Sequence, residues 1–95
     1  MYDEFLVEEL LRNYYSLSDM GFSDMRMDVE AGLKALKKYN TTLFDTIFNV
    51  LINSMPIQQV AVMHDVSTRQ VNRRVHDALY ALTIIMNGEL PNEAS

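Results

Sequence analysis

Apolar residues recur at intervals of three and four along almost the whole chain, which is the spacing of a helix face rather than of a strand. The predicted helices cover residues 2 to about 17, 29–39, 43–54, 57–64 and 68 to about 87. This pattern predicts an all-α fold of about five helices.

The breaks between these helices contain residues that begin or end helices. Residues 18–27 have no clean apolar period, and we interpret them as a loop. Asp28 is the predicted cap of the second helix, and Thr41 or Thr42 that of the third. Pro56 lacks an N–H group and suits the first turn of the fourth helix.

The inward faces follow from the same spacing. Gly32 interrupts the inward face of the second predicted helix, and glycine lowers helix stability by up to about 1 kcal/mol relative to alanine. Either a neighbouring helix packs closely at this position, or the second helix is only marginally stable. The residues expected to face inward in the first three helices are Phe5, Leu6, Leu10, Tyr14 and Leu17, then Val29, Leu33, Leu36 and Tyr39, then Leu43, Phe44, Ile47, Phe48, Val50, Leu51 and Ile52.

The stretch 56–79 contains two apolar helical patterns that meet across a short turn. Ser67 can accept the N–H of Gln70 while the Gln70 amide reaches back to the Ser67 backbone, which is a capping box that starts a helix at Thr68. Ala61 leaves room for two crossing helices to approach closely. One stripe is Ile57, Val60, Ala61 and His64, and the other is Val71, Val75, Ala78, Leu79 and Leu82. Both stripes are expected to share one core, which outlines a helix-turn-helix.

The length of 95 residues predicts a single domain, 1–95. Within it we expect residues 1–40 to form N-terminal helices that offer a dimerisation or partner surface. Residues 41–88 would form the helix-turn-helix unit. Gly88 is the natural end of the last helix, and residues 89–95 are expected to be a flexible tail.

Composition narrows the function classes. The chain has no cysteine and only two histidines, His64 and His76, and it contains no phosphate loop, metal-binding or nucleophile motif. We therefore predict neither an enzyme nor a metal, cofactor or small-molecule site. The start MYDEF lacks the pattern of a secretory signal, and no apolar run is long enough to cross a bilayer, which predicts a cytoplasmic protein that does not bind membranes.

Charge is distributed unevenly. The net charge is −5, with eight acidic and five basic residues in positions 1–40. The net charge of residues 67–86 is positive, because this segment contains Arg69, Arg73 and Arg74 and only one acidic residue, Asp77. A locally cationic helix on an acidic body can bind DNA with steep salt dependence.

The predicted last helix carries the candidate binding residues. Thr68, Arg69, Asn72, Arg73 and His76 lie away from its apolar stripe, and arginine and asparagine suit bidentate contacts to guanine and adenine. Gln70, together with Gln58 and Gln59 on the preceding helix, completes the candidate set. The plainer interpretation is that these arginines only solvate an exposed face, with Arg73 paired to Asp77.

A second candidate surface is rich in methionine. Met20, Met25 and Met27 lie with Phe22 in the irregular segment, where they either form a soft partner-binding surface or fill the core. We favour core packing. The acidic first helix and the apolar residues 84–86 are further candidates for a protein interface.

Parts of the chain match a known pattern. The matching residues are Val60-Ala61, Val66-Ser67, Gln70-Val71 and the run RRVHDAL at 73–79. They resemble sigma-factor region-four-like helix-turn-helix domains, and the chain is most similar to phage late-gene regulators of the Q antiterminator type. The similarity covers residues 43–86. It implies that the last helix lies in the major groove through the residues from Thr68 to His76 named above, and that partners include RNA polymerase.

Three positions depart from that pattern. His64 stands where leucine is usual, Asp65 where a turn glycine is common, and Gln59 where an acidic residue is frequent. Aspartate tolerates the left-handed conformation moderately well, so the turn is expected to persist. Its negative charge lies unfavourably for binding a DNA backbone.

The residues predict a sequence-specific, double-stranded-DNA-binding transcription regulator that acts as a homodimer. The resemblance implies that a phage or mobile element encodes it and that it acts in antitermination or related control. The alternative is a protein-interaction module with the same fold that binds RNA polymerase, a sigma factor or another regulator without base-specific DNA contacts.

Overall fold

A computed structural model describes residues 1–89, and the regular structure of this part of the chain is entirely helical. Its α-helices are α1 (Glu4–Arg12), α2 (Ser23–Tyr39), α3 (Thr41–Ile47), α4 (Ile57–His64) and α5 (Thr68–Met86). A 3₁₀ turn, Tyr14–Ser16, follows α1, and a π-helical turn, Phe48–Ile52, continues α3. The predicted all-α fold of about five helices is confirmed.

Helix α5 is the central element, because it contacts each of the other four helices. The main core is built around it from buried aliphatic side chains of every helix except α4. Those residues are Val7, Leu10, Leu11, Leu17, Val29, Leu33, Leu36, Ile47, Leu51, Ile52, Ala78, Leu79, Ala81 and Leu82.

Gly32 marks the closest approach of α2 to α5. A Cβ atom at this position would lie 2.9 Å from Leu82 Cδ1 and 2.9 Å from Met86 Cγ, closer than carbon atoms can pack. Of the two explanations offered for this glycine, close packing of a neighbouring helix is therefore the correct one.

The N-terminus is tied to the end of α5. The Tyr2 N–H donates to Asn87 Oδ1 (2.8 Å), and the Asn87 side-chain amide donates back to the Tyr2 carbonyl (2.9 Å). The Tyr2 hydroxyl also donates to the Asp28 carboxylate on α2 at 2.6 Å. These bonds place the start of α1 beside the C-terminal end of α5.

The hydrogen bond to Asp28 raises the pKa of Tyr2 from 10.0 to about 12. Ionising the phenol would destroy this bond and set two negative charges side by side, so the folded protein favours neutral Tyr2. Because the folded pKa lies above the unfolded value, this contribution to stability is fully present below pH 10 and is lost as the pH rises from 10 through 12. Ultraviolet titration of tyrosinate should show a late-ionising phenol that is lost in Tyr2→Phe and titrates earlier in Asp28→Asn; an Asp28→Asn curve identical to that of the unaltered protein would contradict the bond.

The first predicted helix was wrong in length and in part of its face. Asp3 caps α1 by accepting the Leu6 N–H (2.8 Å), and the helix ends at Arg12 instead of near Leu17. This register turns Val7 and Leu11 fully inward, while Phe5 is 76% exposed. Phe5 therefore does not belong to the core.

The predicted start of the second helix was also wrong. Helix α2 begins at Ser23, so the second half of the predicted loop is helical and Asp28 lies inside the helix, not at its cap. The Asp28 carboxylate instead accepts a hydrogen bond from the Tyr2 hydroxyl. At the other end, Tyr39 is exposed and does not face the core.

Helix α3 differs from its prediction at both ends. Asn40 is the cap, accepting the Leu43 N–H at 3.1 Å, so the predicted Thr41 or Thr42 cap is wrong and the helix begins at Thr41, two residues before the predicted start. Regular α-geometry ends at Ile47 and widens into the π-helical turn. Ser54, in the left-handed region at φ 56°, redirects the chain toward α4.

The remaining boundaries agree with expectation. Helix α4 covers the predicted residues, with Pro56 as its N-cap, and α5 ends one residue early at Met86, followed by Gly88 at φ 87°. Of the predicted flexible tail, all but Glu89 lies outside the described residues. No helix in residues 1–89 is both long and apolar enough to span a membrane.

Candidate nucleic-acid interface

The turn between α4 and α5 is built from three residues. Asp65 adopts the left-handed conformation (φ 55°, ψ 48°) that ends α4, and the Val66 N–H returns to the Ala61 carbonyl at 3.0 Å. The Ser67 hydroxyl then accepts the Gln70 N–H at 3.1 Å and starts α5. The predicted turn and serine cap are confirmed, although the described residues show no return bond from the Gln70 amide to the Ser67 backbone.

The inner faces of α4 and α5 form a small hydrophobic cluster of their own. Val60, Ala61 and Val71 are buried in it, and Val50 and Val75 connect it to the main core. The expectation that both stripes share a single core is therefore corrected. The stripe of α4 packs in this smaller cluster, whereas most of the stripe of α5 packs in the main core. The near-complete burial of Ala61 confirms the close approach of the two helices.

The outer face of α5 presents the predicted binding residues to solvent. All eight candidates are exposed: Gln58, Gln59, Thr68, Arg69, Gln70, Asn72, Arg73 and His76. In residues 1–89 the ion pairs are Glu8–Arg12 and Arg26–Glu30, and neither Arg69 nor Arg73 has a carboxylate partner. The i, i+4 pair between Arg73 and Asp77 is not formed in this part of the chain, whereas the exposure of the two arginines agrees with both interpretations.

Two depressions border the first turn of α5. One, of about 470 Å³, is lined by Ser67, Arg69, Gln70 and Arg73. The other, of about 640 Å³, is lined by Gln58, Ala61, Val62, Asp65, Val66, Ser67 and Thr68. The start of α5 is therefore a cationic ridge that borders both hollows, and one of the hollows extends to α4.

Two exposed residues beside this face were not among the predicted ones. Tyr80 follows Arg69, Arg73 and His76 at helical spacing and lies on the same side of α5, where its ring is exposed. Val62 is 82% exposed and lines the hollow between α4 and α5. Tyr80 could have been predicted from its helical spacing with residues 69, 73 and 76. Val62 could have been predicted to be exposed from its position outside the apolar stripe of α4.

The polar contacts of the N-terminal half are structural in character. The Tyr14 hydroxyl and the Arg26 guanidinium both donate to Glu30, at 2.9 and 3.1 Å, and these bonds lower the pKa of Glu30. Burial and the bond to Glu30 raise the pKa of Tyr14. Among residues 1–89, no three His, Asp or Glu side chains come together in a group that could hold a metal ion.

The fold and this surface define an all-α protein with a helix-turn-helix arrangement in its C-terminal half. Comparisons with models of protein families, with curated proteins and with solved structures found no match for this chain. The likeness to sigma region-four-like domains stays a prediction from the residues.

Proposed function

We propose that this protein is a sequence-specific, double-stranded-DNA-binding regulator of transcription that inserts the N-terminal half of α5 into the major groove. The observation that carries the proposal is the pair Arg69 and Arg73, exposed and without carboxylate partners in residues 1–89, on the ridge that Ser67 starts. Free guanidinium groups at the start of a helix that follows a tight turn are the usual means by which such units read guanine.

The docking follows from the geometry of the ridge. A major groove about 12 Å wide admits one α-helix, and the hollows that border the first turn leave space for the groove walls. Thr68 and Asn72 would then contact bases beside the two arginines. The first-turn N–H groups, which have no acceptor within a helix, would bind a phosphate, and Gln58 and Gln59 would bind the adjoining backbone.

A single protomer would bind DNA only weakly, and we therefore expect the protein to act as a homodimer. One ridge with two free arginines neutralises few phosphates, whereas specific regulators commonly reach about 10⁻⁸ M or tighter through two half-sites roughly 34 Å apart. The net charge of the whole chain is −5, and its repulsion of the DNA phosphates weakens each single contact further. A cytoplasmic location, a phage or mobile-element origin and an antitermination role belong to the same proposal, through the resemblance described above.

The proposal is tested by selecting bound duplexes from a random library by mobility shift and then measuring affinity across a salt series. We expect the selected duplexes to share a short motif, and log K to fall linearly with log salt at a slope of about −2 to −4 per protomer for two to four phosphate contacts. Recovery of unrelated duplexes, or a slope near zero, would reject DNA reading.

The alternative, a module that binds RNA polymerase or a sigma factor without base contacts, has its own supporting observation. Positions 1–30 hold eight acidic residues against two arginines, and both arginines are already paired. An acidic surface of this kind suits a basic protein partner. This role would survive replacement of Arg69 and Arg73, and DNA reading would not.

Asp65 limits DNA affinity in the proposed complex. Asp65→Asn keeps a residue that tolerates the left-handed turn and removes the negative charge, so affinity should rise by roughly two- to fivefold, because a unit charge near a phosphate in water is worth up to about 1 kcal/mol. Glu4→Gln is the matched control: Glu4 is two residues from Tyr2, which bonds to Asn87 at the far end of α5, and α5 is about 28 Å long at 1.5 Å per residue. Equal gains in both variants, measured by fluorescence anisotropy, would show that only net charge matters.

A further inference from the structure

A second concave surface lies between α1 and the chain that leads into α2, far from any residue of the proposed DNA interface in sequence. It has a volume of about 280 Å³, and we name it the α1 groove. Its lining is mostly apolar and consists of Leu6, Glu9, Leu10, Asn13, Leu17, Met20, Phe22 and Met25.

The groove has an apolar floor, and two of its exposed lining residues are also apolar. Leu10 and Leu17 are buried at its floor, whereas Met20 is 51% exposed and Phe22 is 42% exposed. The expectation that these methionine and phenylalanine residues fill the core is therefore wrong for Met20 and Phe22, and also for Met27, which is exposed on α2. Only Met25 packs partly against the core.

Backbone hydrogen bonds hold the rim in place. The Met20 N–H donates to the Ser16 carbonyl at 3.0 Å, and the Phe22 N–H donates to the Leu17 carbonyl at 2.8 Å. Gly21 turns the chain between them at φ 84°. Two large apolar side chains are thus presented to solvent by an ordered turn, and methionine is the residue that adapts best to a varied apolar partner.

Acidic residues in the groove or next to its lining residues in the chain indicate what would occupy it. Glu9 lines it, Asp19 precedes Met20, and Asp24 precedes Met25; all three are exposed. No lysine or arginine lines the groove. The arginines of positions 1–30 are neutralised by Glu8 and Glu30, which leaves six acidic residues in this region without an ion-pair partner in the described chain.

The same charge argues against other occupants. A symmetric contact between two copies would place Glu9, Asp19 and Asp24 of one copy near the same residues of the other, and like charges across an interface cost several kcal/mol. An anionic membrane surface would be repelled in the same way. A helix with an apolar stripe and flanking lysines or arginines would complement both the apolar floor of the groove and the acidic residues beside it.

We propose that the α1 groove binds a basic amphipathic helix of a partner protein, with apolar side chains against Leu10, Met20 and Phe22 and basic side chains beside Glu9, Asp19 and Asp24. This inference is independent of DNA binding by α5.

The test is selection of helical peptides from an unbiased display library on the full protein, without DNA. We expect the recovered peptides to carry apolar residues three and four apart, with lysine or arginine on their flanks. Synthetic copies should lose at least about tenfold in affinity for the double variant Met20→Ser, Phe22→Ser, through lost apolar contact, and for the triple variant Glu9→Gln, Asp19→Asn, Asp24→Asn, through lost charge.

A matched double variant, Val62→Ser with Met63→Ser, removes two exposed apolar side chains from α4 and should bind the peptides unchanged. The Met20, Phe22 variant should keep its duplex affinity, so a failure here is separable from a failure of DNA reading. The inference is overturned if no peptide binds, if the recovered peptides are neutral or acidic, or if ultracentrifugation shows a dimer that the Met20, Phe22 variant converts to monomer.

Discussion

Replacing both Arg69 and Arg73 with alanine is expected to lower affinity for a selected duplex by roughly 100-fold or more, because each bidentate contact to a base contributes about 1–3 kcal/mol of discrimination. Neither side chain packs in the hydrophobic clusters or forms an ion pair within residues 1–89, so the fold should be unaffected. Fluorescence anisotropy against the selected duplex and an unrelated one would measure the loss and its sequence dependence.

The matched control is Arg12→Ala with Lys38→Ala, which removes the same two charges from α1 and α2. That variant should lose only the small, sequence-independent part of the affinity. If the two double variants weaken binding equally, the outer face of α5 does not read bases.

Gly32→Leu is expected to lower the free energy of unfolding by roughly 2–3 kcal/mol, even though leucine favours helices more than glycine does. The new side chain would begin 2.9 Å from atoms of Leu82 and Met86, and Leu82 is fully buried. Because α2 then cannot approach α5, the core opens along its central contact. Urea denaturation, followed by circular dichroism, would measure the loss.

Ala31→Leu is the control for this substitution, since Ala31 is the neighbouring residue on α2 and is exposed. It should change stability by only a few tenths of a kcal/mol, as surface substitutions usually do. A Gly32→Leu variant as stable as the Ala31→Leu variant would contradict the close packing of α2 on α5.

Local chemistry decided which parts of the fold could be predicted. The α4–α5 connection was predicted correctly because its determinants lie next to one another: Asp65 tolerates the left-handed turn, Ser67 accepts an N–H three residues on, and the apolar stripes on either side are regular. The exposure of Arg69 and Arg73 followed directly from the stripe that they avoid.

The failures involve contacts between distant residues. Asp28 looked like a cap, but its carboxylate binds Tyr2, a residue 26 positions away, and α2 starts at Ser23, six residues before the predicted start at residue 29. Met25 precedes Val29 by one helical repeat and was the available signal for that earlier start. The exposure of Met20 and Phe22 depends on how α1 packs beside them, which no local pattern encodes.

The charge pattern gives the two proposed surfaces different partners. The start of α5 is cationic and offers hydrogen-bond donors, which suits the anionic edges and backbone of DNA. The α1 groove is apolar and acidic, which suits a basic helix. A regulator that joins DNA to another protein needs two such surfaces of opposite character.

Amide chemical-shift mapping on titration with a selected duplex would show whether the outer face of α5 enters the major groove. We expect the largest shifts on residues 67–76, with smaller ones at Gln58 and Gln59, and we expect these shifts to vanish in the Arg69, Arg73 double variant. Shifts concentrated on α1 and α2, with the amides of residues 67–76 unchanged at saturating duplex, would contradict this expectation.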